Sequence, residues 1–169
     1  LSLQSGSDLI LKRMKRRHTA AAASALARRA RELRPGLALG ADLIAGFPTE
    51  TEAQFAETLE FIEACGLAFL HVFPYSPRPR TPAARMPQVP VAARKERAAR
   101  LRAAGAKAET RFLAAQVGRT VGALVEQGAA ARTDHYAPIL LDRALPAGRI
   151  VTVAVTGHGP GGLSGAVLD

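Results

Sequence analysis

Apolar positions along the chain change period repeatedly, and those changes outline the elements. Leu1 to Gln4 alternates as a strand does before the polar turn Ser5-Gly6-Ser7-Asp8. Ser7 is placed to cap a short helix through Met14, with Leu9, Ile10 and Met14 on its apolar side. Thr19 starts a second helix, Ala20 to Leu33, which Pro35-Gly36 ends. The aliphatic run "LALGADLIAG", Leu37 to Gly46, predicts a short strand covered on both faces. In "TETE", Thr49 to Glu52, the spacing predicts a capping box with Thr49 as the cap and Glu52 reaching back. The helix it opens carries Phe55, Leu59 and Ile62 at helical spacing and stops at Gly66. "LAFLHVFPY", Leu67 to Tyr75, is the next strand. Strands alternating with helices of this length predict parallel pairing.

A proline-rich loop, Ser76 to Pro90, separates this part from a charged helix running from about Val91 to Ala115, with Gly105 as its weak point. Beyond Val117 the period falls to two. "VGRTVGALVEQ", "YAPILLD", "GRIVTVAVTG" and "LSGAVLD" are short strand-like runs separated by turn residues, the pattern of a small antiparallel β-barrel. The predicted fold class is therefore α/β, three parallel strands of a partial barrel followed by a small OB-like barrel. The first domain is expected over residues 1–111, including the basic linker helix at about 91–111, and the second over 112–169.

Charge sharpens this picture. The net charge is +9, unevenly distributed: residues 1–34 carry +7, residues 35–75 carry −6, residues 76–116 carry +8, and the remainder is neutral. Two basic stretches around an acidic one suit a polyanion, or are solvated faces of arginine-rich helices. The most apolar stretch, Ala64 to Tyr75, is too short to span a bilayer, so no membrane partner is expected and a cytoplasmic location is the default. A single cysteine, Cys65, excludes an internal disulfide and any multi-cysteine metal site within the chain, and reads as a small buried hydrophobe. His18, His71, His135 and His158 lack metal-ligand spacing, and His71 within a strand reads as a packed residue. Glu50 and Glu52 read as helix-start acids.

Ligands of parallel α/β sheets bind at the carboxyl ends of the strands. Here each such end carries a polar turn: "QSGSD", "GFPTET" and "YSPRPRT". Gln4 and Ser5 can hydrogen-bond a ribose or an amide, the Gly46 turn lets backbone approach a flat ligand, and Tyr75 with Ser76 adds an aromatic face and a hydroxyl. Each turn alone has a plainer explanation as a cap or tight turn. Three turns on one rim point to a ligand without naming a reaction.

The stretches "LSLQSGSDLILKRMKRRHT", "DLIAGFPTETEAQFAETLEFIE" and "LHVFPYSPRPRTPAARM" resemble, in order, the second half of the radical SAM core of the methylthiotransferase family. The ending from about Phe112 resembles the RNA-binding TRAM domain that follows it there. "LHVFPYSPRP" is most similar to the enzymes acting on threonylcarbamoyladenosine in tRNA; those acting on isopentenyladenosine tRNA or ribosomal protein S12 are less similar. The resemblance implies that Gln4 and Ser5 lie at the ribose and amino-acid portion of S-adenosylmethionine (SAM) and that Arg16 meets its carboxylate. It further implies that Asp42, Gly46 and Pro48 shape the rim, and that Phe73, Tyr75 and Ser76 border the adenine. The family turn Gly-Phe-Pro-Gly-Glu-Thr has Thr49 in place of its second glycine, which argues against a positive backbone angle there. Arg80 likewise stands where "RPGTP" has glycine.

The implied activity is transfer of a methylthio group to C2 of a modified adenosine at tRNA position 37, through a 5′-deoxyadenosyl radical. It uses SAM and two 4Fe-4S clusters whose cysteine ligands are absent from this chain. The chain is then expected to be a fragment, inactive alone, whose partners are tRNA, SAM and the N-terminal remainder of the same protein. Arg97, Arg100 and Arg102 on the basic helix are expected to carry more of the tRNA backbone than Arg119, Arg132 and Arg143 on the neutral barrel, where Tyr136 is the aromatic available for stacking. Two competing expectations are a stand-alone RNA-binding module without catalysis and an unrelated sugar-phosphate barrel enzyme, the latter disfavoured by the absence of a glycine-rich phosphate loop.

Overall fold

The computed structural model describes residues 1–168 and divides the chain into two compact units, Leu1–Ala108 and a second from Glu109 onward. The first holds α1 (Asp8–Arg13), α2 (Ala20–Leu33), β1 (Gly40–Ala45), α3 (Glu52–Ala64), β2 (Phe69–Pro74), a 3-10 turn at Pro82–Arg85, and most of α4 (Val91–Ala114). β1 and β2 run parallel, with Gly40 opposite Phe69 and Ala45 opposite Pro74. The expected first strand is reduced to one parallel bridge between Gln4 and Leu43. Leu3 N–H turns back to Leu1 O at 3.0 Å and Gln4 adopts a φ of 71°, so the segment cannot stay extended. It still lies beside β1: Gln4 N–H donates to Asp42 O at 2.8 Å, and Ile44 N–H donates to Gln4 O at 2.9 Å.

β1 is buried on one face only, contrary to the expectation of two covered faces. Ala41, Leu43 and Ala45 enter a core with Ala27, Phe55, Ile62 and Leu101, while Asp42 and Ile44 remain half-buried on the other side. Thr19 caps α2 by accepting from Ala22 N–H at 3.1 Å, as its position predicts. α3 stops at Ala64, followed by Gly66 at φ 54°; Arg31 donates to the carbonyls of Cys65 and Gly66 at 2.6 Å each and so satisfies the helix end. α4 passes through Gly105 unbroken. An added Cβ there would lie 3.2 Å from Leu70, so the glycine makes room for β2. Ala98 and Leu101 join α4 to the core of this unit.

The second unit is a closed barrel of β3 (Thr120–Gln127), β4 (Ala130–Thr133), β5 (Pro138–Leu141), β6 (Ile150–Gly159) and β7 (Gly162–Val167), in the order β3-β4-β5-β7-β6. It is not wholly antiparallel, because β5 pairs with β7 in parallel. Strict alternation buries Val151, Val153 and Val155 of β6 against Val125, Ile139 and Leu163 from the other strands. β4, "AART", carries no strand signal of its own and escapes the sequence pattern. It forms because a turn with Gly128 at φ 59° folds it back onto β3. No helix among the described residues is long and apolar enough to cross a membrane.

Candidate functional site

The carboxyl ends of the three parallel segments surround a cavity of about 630 Å³ lined by Gln4, Asp42, Ile44, Phe73, Pro74, Tyr75, Ser76 and Arg78. Five residues singled out in the sequence, Gln4, Asp42, Phe73, Tyr75 and Ser76, are thus brought together. Pairing with β1 sets Gln4. Asp42 accepts from the Ser2 hydroxyl at 3.1 Å and lies 3.2 Å from His71 Nδ1. His71 is therefore an exposed residue with an acidic neighbour, not the packed one its strand position suggests. Tyr75 is held at both backbone ends: its N–H donates to Ala45 O at 2.8 Å, and its carbonyl accepts from Arg94 Nη1 at 3.2 Å. Its ring meets the edge of Phe47 at 5.3 Å and the Arg94 guanidinium at 5.5 Å. Phe73 leaves 55% of its surface open. Aromatic faces with an amide, a carboxylate and a hydroxyl around one hollow suit a flat heterocycle bearing a polyhydroxylated or cationic substituent.

The other expected cofactor residues lie elsewhere. Ser5 is buried: its hydroxyl lies 3.2 Å from Thr58 Oγ1 and accepts from Ser7 N–H at 3.1 Å, so it fastens the turn to α3. Pro48 is fully buried. Gly46 has φ 72°, but α4 stands over it rather than open space: an added Cβ would lie 2.6 Å from Arg94 Cγ. Its N–H donates to Glu50 Oε2 at 2.9 Å. Arg16 borders a second cavity, of about 330 Å³, lined by Arg13, Met14, Lys15, Arg16, Ile44, Phe47, Thr81, Pro82 and Ala83. Ile44 belongs to both linings.

The turn after β1 departs furthest from its sequence reading. Thr51 caps α3, in a capping box with Gln54 at 3.0 and 3.3 Å; Thr49 does not. Thr49 instead adopts φ 67°, as does Arg80. Both positions at which the resemblance leads glycine to be expected therefore take the left-handed backbone with a side chain on it. For a β-branched residue this costs on the order of 1–3 kcal/mol. Glu50 is no helix-start acid: its side chain is 1% exposed and accepts from Arg97 Nη1 at 2.9 Å as well as from Gly46. Burial pushes its carboxyl above the usual range, against the pull of the Gly46 N–H and of Arg97. Glu52 is exposed, and its hydrogen bond from Arg100 lowers its carboxyl.

Arg97 accordingly points inward. Its guanidinium, 9% exposed, donates to both the carboxylate and the backbone carbonyl of Glu50, which removes it from the set facing solvent. Arg100 is half-exposed, bonded to Glu52 at 2.6 Å and 4.6 Å above the Phe55 ring, and Arg102 is exposed. In the barrel unit Arg119 and Arg143 are exposed, while Arg132 donates to Glu126 at 2.9 Å. Tyr136 is 78% exposed at φ 63°. Cys65 is buried, 3.2 Å from Ser24 Oγ, and no cluster of metal-ligating side chains occurs among the described residues. Arg94 and Glu50, which brace the rim, escape sequence reasoning because each resembles an ordinary charged residue near a helix start.

A parallel α/β unit with a hollow at its carboxyl rim, followed by a closed five-stranded barrel consistent with a TRAM domain, defines the class. No protein-family model matches the chain. Individual proteins do: over most of its own length the chain is homologous to part of several tRNA methylthiotransferases. It is 46% identical over 157 residues to the threonylcarbamoyladenosine tRNA methylthiotransferase MtaB of Rickettsia prowazekii, covering 93% of this chain and 37% of that protein. It is 40% identical over 176 aligned positions to the tRNA-2-methylthio-N(6)-dimethylallyladenosine synthase of Erythrobacter litoralis, covering 100% of this chain and 40% of that one. The synthase of the same name from Novosphingobium aromaticivorans is 48% identical over 128 residues, 75% of this chain and 29% of that protein. The chain thus spans about two fifths of the length of the first two relatives.

Proposed function

We propose that the chain supplies the SAM-holding rim and an RNA-binding barrel of a tRNA methylthiotransferase acting on threonylcarbamoyladenosine at position 37, in the cytoplasm. The observation that carries this reading is the convergence of Gln4, Asp42, Phe73, Tyr75 and Ser76 on one cavity of nucleoside size at the strand ends. Similarity to the Rickettsia enzyme over 93% of the chain supports the choice of substrate.

The residues present fit SAM. The hollow offers an exposed aromatic face at Phe73, a carboxylate at Asp42 for a diol or a cationic centre, and the Gln4 amide and Ser76 hydroxyl for directed hydrogen bonds. Arg16, across the shared Ile44 wall, is the candidate partner of its carboxylate. Bound SAM would supply the transferred methyl group and the one-electron chemistry that activates C2 of the adenine. The chain's own part is to orient the cofactor between Phe73 and Gln4 and to keep the rim rigid through Arg94 and Glu50. The residues do not fit an iron–sulfur cluster, since the one cysteine is buried and bonded to Ser24. Cluster ligands belong to a portion of the enzyme outside this sequence, and that portion is a required partner in this reading.

Titrating SAM into the labelled chain should shift the amide signals of Gln4, Asp42, Tyr75 and Ser76, while those of the barrel stay in place. Cells lacking the gene should lose the 2-methylthio group from threonylcarbamoyladenosine in nucleoside mass spectra. Loss from dimethylallyladenosine instead would overturn the substrate assignment. An unchanged spectrum would overturn the activity.

A further inference from the structure

The second cavity is unlike the first in its charge. Three cationic residues, Arg13, Lys15 and Arg16, border it, together with Met14, Ile44, Phe47 and the Thr81–Ala83 segment, and no acidic residue lines it among the described residues. Its wall comes from three parts of the chain: the end of α1, the end of β1 with its turn, and the start of the 3-10 turn. Three of the five non-glycine residues with positive φ among the described residues attend it. Lys15 lines it at φ 57°, Arg80 precedes its Thr81, and Thr49 presents its carbonyl to Arg13 Nη1 at 3.3 Å. Backbone strain of this kind collects at binding sites, where the surrounding structure holds it. The cavity also shares Ile44 with the cofactor hollow, so occupants of the two would meet at that side chain.

We infer that this cavity is a carboxylate-binding subsite, in which Arg13 and Lys15 take the carboxylate of the amino-acid substituent on the substrate adenosine while Ile44, Phe47 and Pro82 receive its aliphatic part. The inference rests on the reading of the larger cavity as the SAM site. A purely aliphatic substituent would leave the cations without a counter-charge, whereas a carboxylate matches them with charge-assisted hydrogen bonds and gives the site a reason to prefer one modified adenosine over another. The other available carboxylate is that of SAM itself, and the two sources are separable.

The test uses nucleosides and the labelled chain, read by amide shifts. Threonylcarbamoyladenosine should bind at least about tenfold more tightly than its methyl ester or than dimethylallyladenosine, the loss of one charge-assisted contact. Lys15→Asn, at an exposed position where asparagine tolerates the positive φ, should abolish that preference and leave SAM affinity unchanged. Arg13→Gln should do the same, and Lys15→Asn guards against the case in which loss of the Thr49 contact disturbs the fold. Equal binding of acid and ester overturns the inference. So does a fall in SAM affinity with the acid preference intact, which would assign the cations to the cofactor carboxylate. If SAM shifts the Gln4 and Tyr75 signals while acid and ester bind alike, only the inference fails. If SAM shifts nothing, the functional reading fails with it.

Discussion

Glu50 and Arg97 form a buried ion pair in which one partner should matter far more than the other. The Glu50 side chain is 1% exposed and the Arg97 side chain 9%, with 2.9 Å between Oε2 and Nη1. Arg97→Ala leaves the carboxylate in a low-dielectric site with the Gly46 N–H as its remaining donor, and breaking a buried pair this way costs about 3–5 kcal/mol. Glu50→Gln differs. The amide oxygen still accepts from Gly46 and Arg97, and Arg97 keeps the Glu50 carbonyl at 2.9 Å and the Glu52 carboxylate at 3.3 Å. Burial works against the charge on the Glu50 carboxyl and raises its pKa on folding, so removing that charge relieves part of the desolvation cost. Glu50→Gln should therefore stay within about 1 kcal/mol of the parent at pH 7.

The pH dependence follows from the same shift. A carboxyl whose pKa is raised on folding binds more protons in the folded than in the unfolded chain. The stability it contributes is present below the ordinary glutamate pKa of 4.5, which the unfolded chain retains, and is lost as pH rises through the folded one. The parent should lose stability over that window, and Glu50→Gln should lack this component. Since the chain forms two compact units, a single global transition is not assumed, and exchange of the Gly46 amide with deuterium gives a readout within the first unit. A Glu50→Gln cost that equals or exceeds that of Arg97→Ala, or a pH slope that survives in Glu50→Gln, refutes the reasoning.

Three further outcomes are expected. Thr49→Gly should stabilise the first unit by about 1 kcal/mol by relieving the φ of 67°, seen as a higher midpoint in thermal denaturation; a lower midpoint would mean the threonine side chain repays its strain. Gly165→Ala should destabilise the barrel by about 1–3 kcal/mol, because its Cβ would lie 2.4 Å from Val153 Cγ1, whereas Gly159→Ala, with open space around it, should cost less than about 1 kcal/mol in the same urea titration. Charge reversal at Arg100 and Arg102 should weaken tRNA binding more than reversal at Arg132 and Arg143, and should reduce the slope of log K against log salt by about 0.9 per lost phosphate contact; the opposite ranking refutes the assignment of the RNA backbone to α4.

The buried face was legible from spacing at α3, through Phe55 and Ile62, but not at α1, where Leu11 is buried and Leu9 is 45% exposed, and what covers a helix was legible at neither. Arg97 and Arg100 are both basic residues of an arginine-rich helix, three apart, and no periodicity separates them. The structure does, because Glu50 waits beneath one and solvent lies above the other. The same limit explains Gly46, whose turn was legible but whose neighbour, Arg94, comes from a helix 48 residues further on. Caps follow local rules, yet of the three expected only Thr19 forms as its position predicts: Ser7 stands at the start of α1 without a side-chain cap bond, and at α3 two threonines compete and Thr51 wins because Gln54 completes its box. β4 and the single bridge at Gln4 owe their form to pairing partners rather than to their own residues, so no local pattern announces them. At the rim, position on a strand end was enough to single out Gln4, Tyr75 and Ser76, whereas Asp42 and Phe73, which line the same cavity, were expected only from the family resemblance. Position was not enough for Ser5, one residue on from Gln4, whose hydroxyl turns to Thr58.

The strained turns separate geometry from residue identity. Residues 49 and 80 are threonine and arginine where the resemblance leads glycine to be expected, and glycine is the residue for which a positive φ costs nothing steric. If the backbone merely followed its residues, both positions would have relaxed to negative φ. They stand instead at 67°, so each turn is held by its surroundings: Thr49 N–H donates to Pro87 O at 3.1 Å, its carbonyl accepts from Arg13, and Thr81 ties the Arg80 turn through its N–H and hydroxyl to Arg78 O at 3.2 and 2.8 Å. Those contacts hold one turn that presents its carbonyl to Arg13 and another that leads into Thr81, Pro82 and Ala83, all within or beside the cationic cavity. A surface loop with no task at that point has no reason to sustain two such conformations. Their retention next to Ile44, where the two cavities meet, argues that the positions of these turns are what the fold is built to keep.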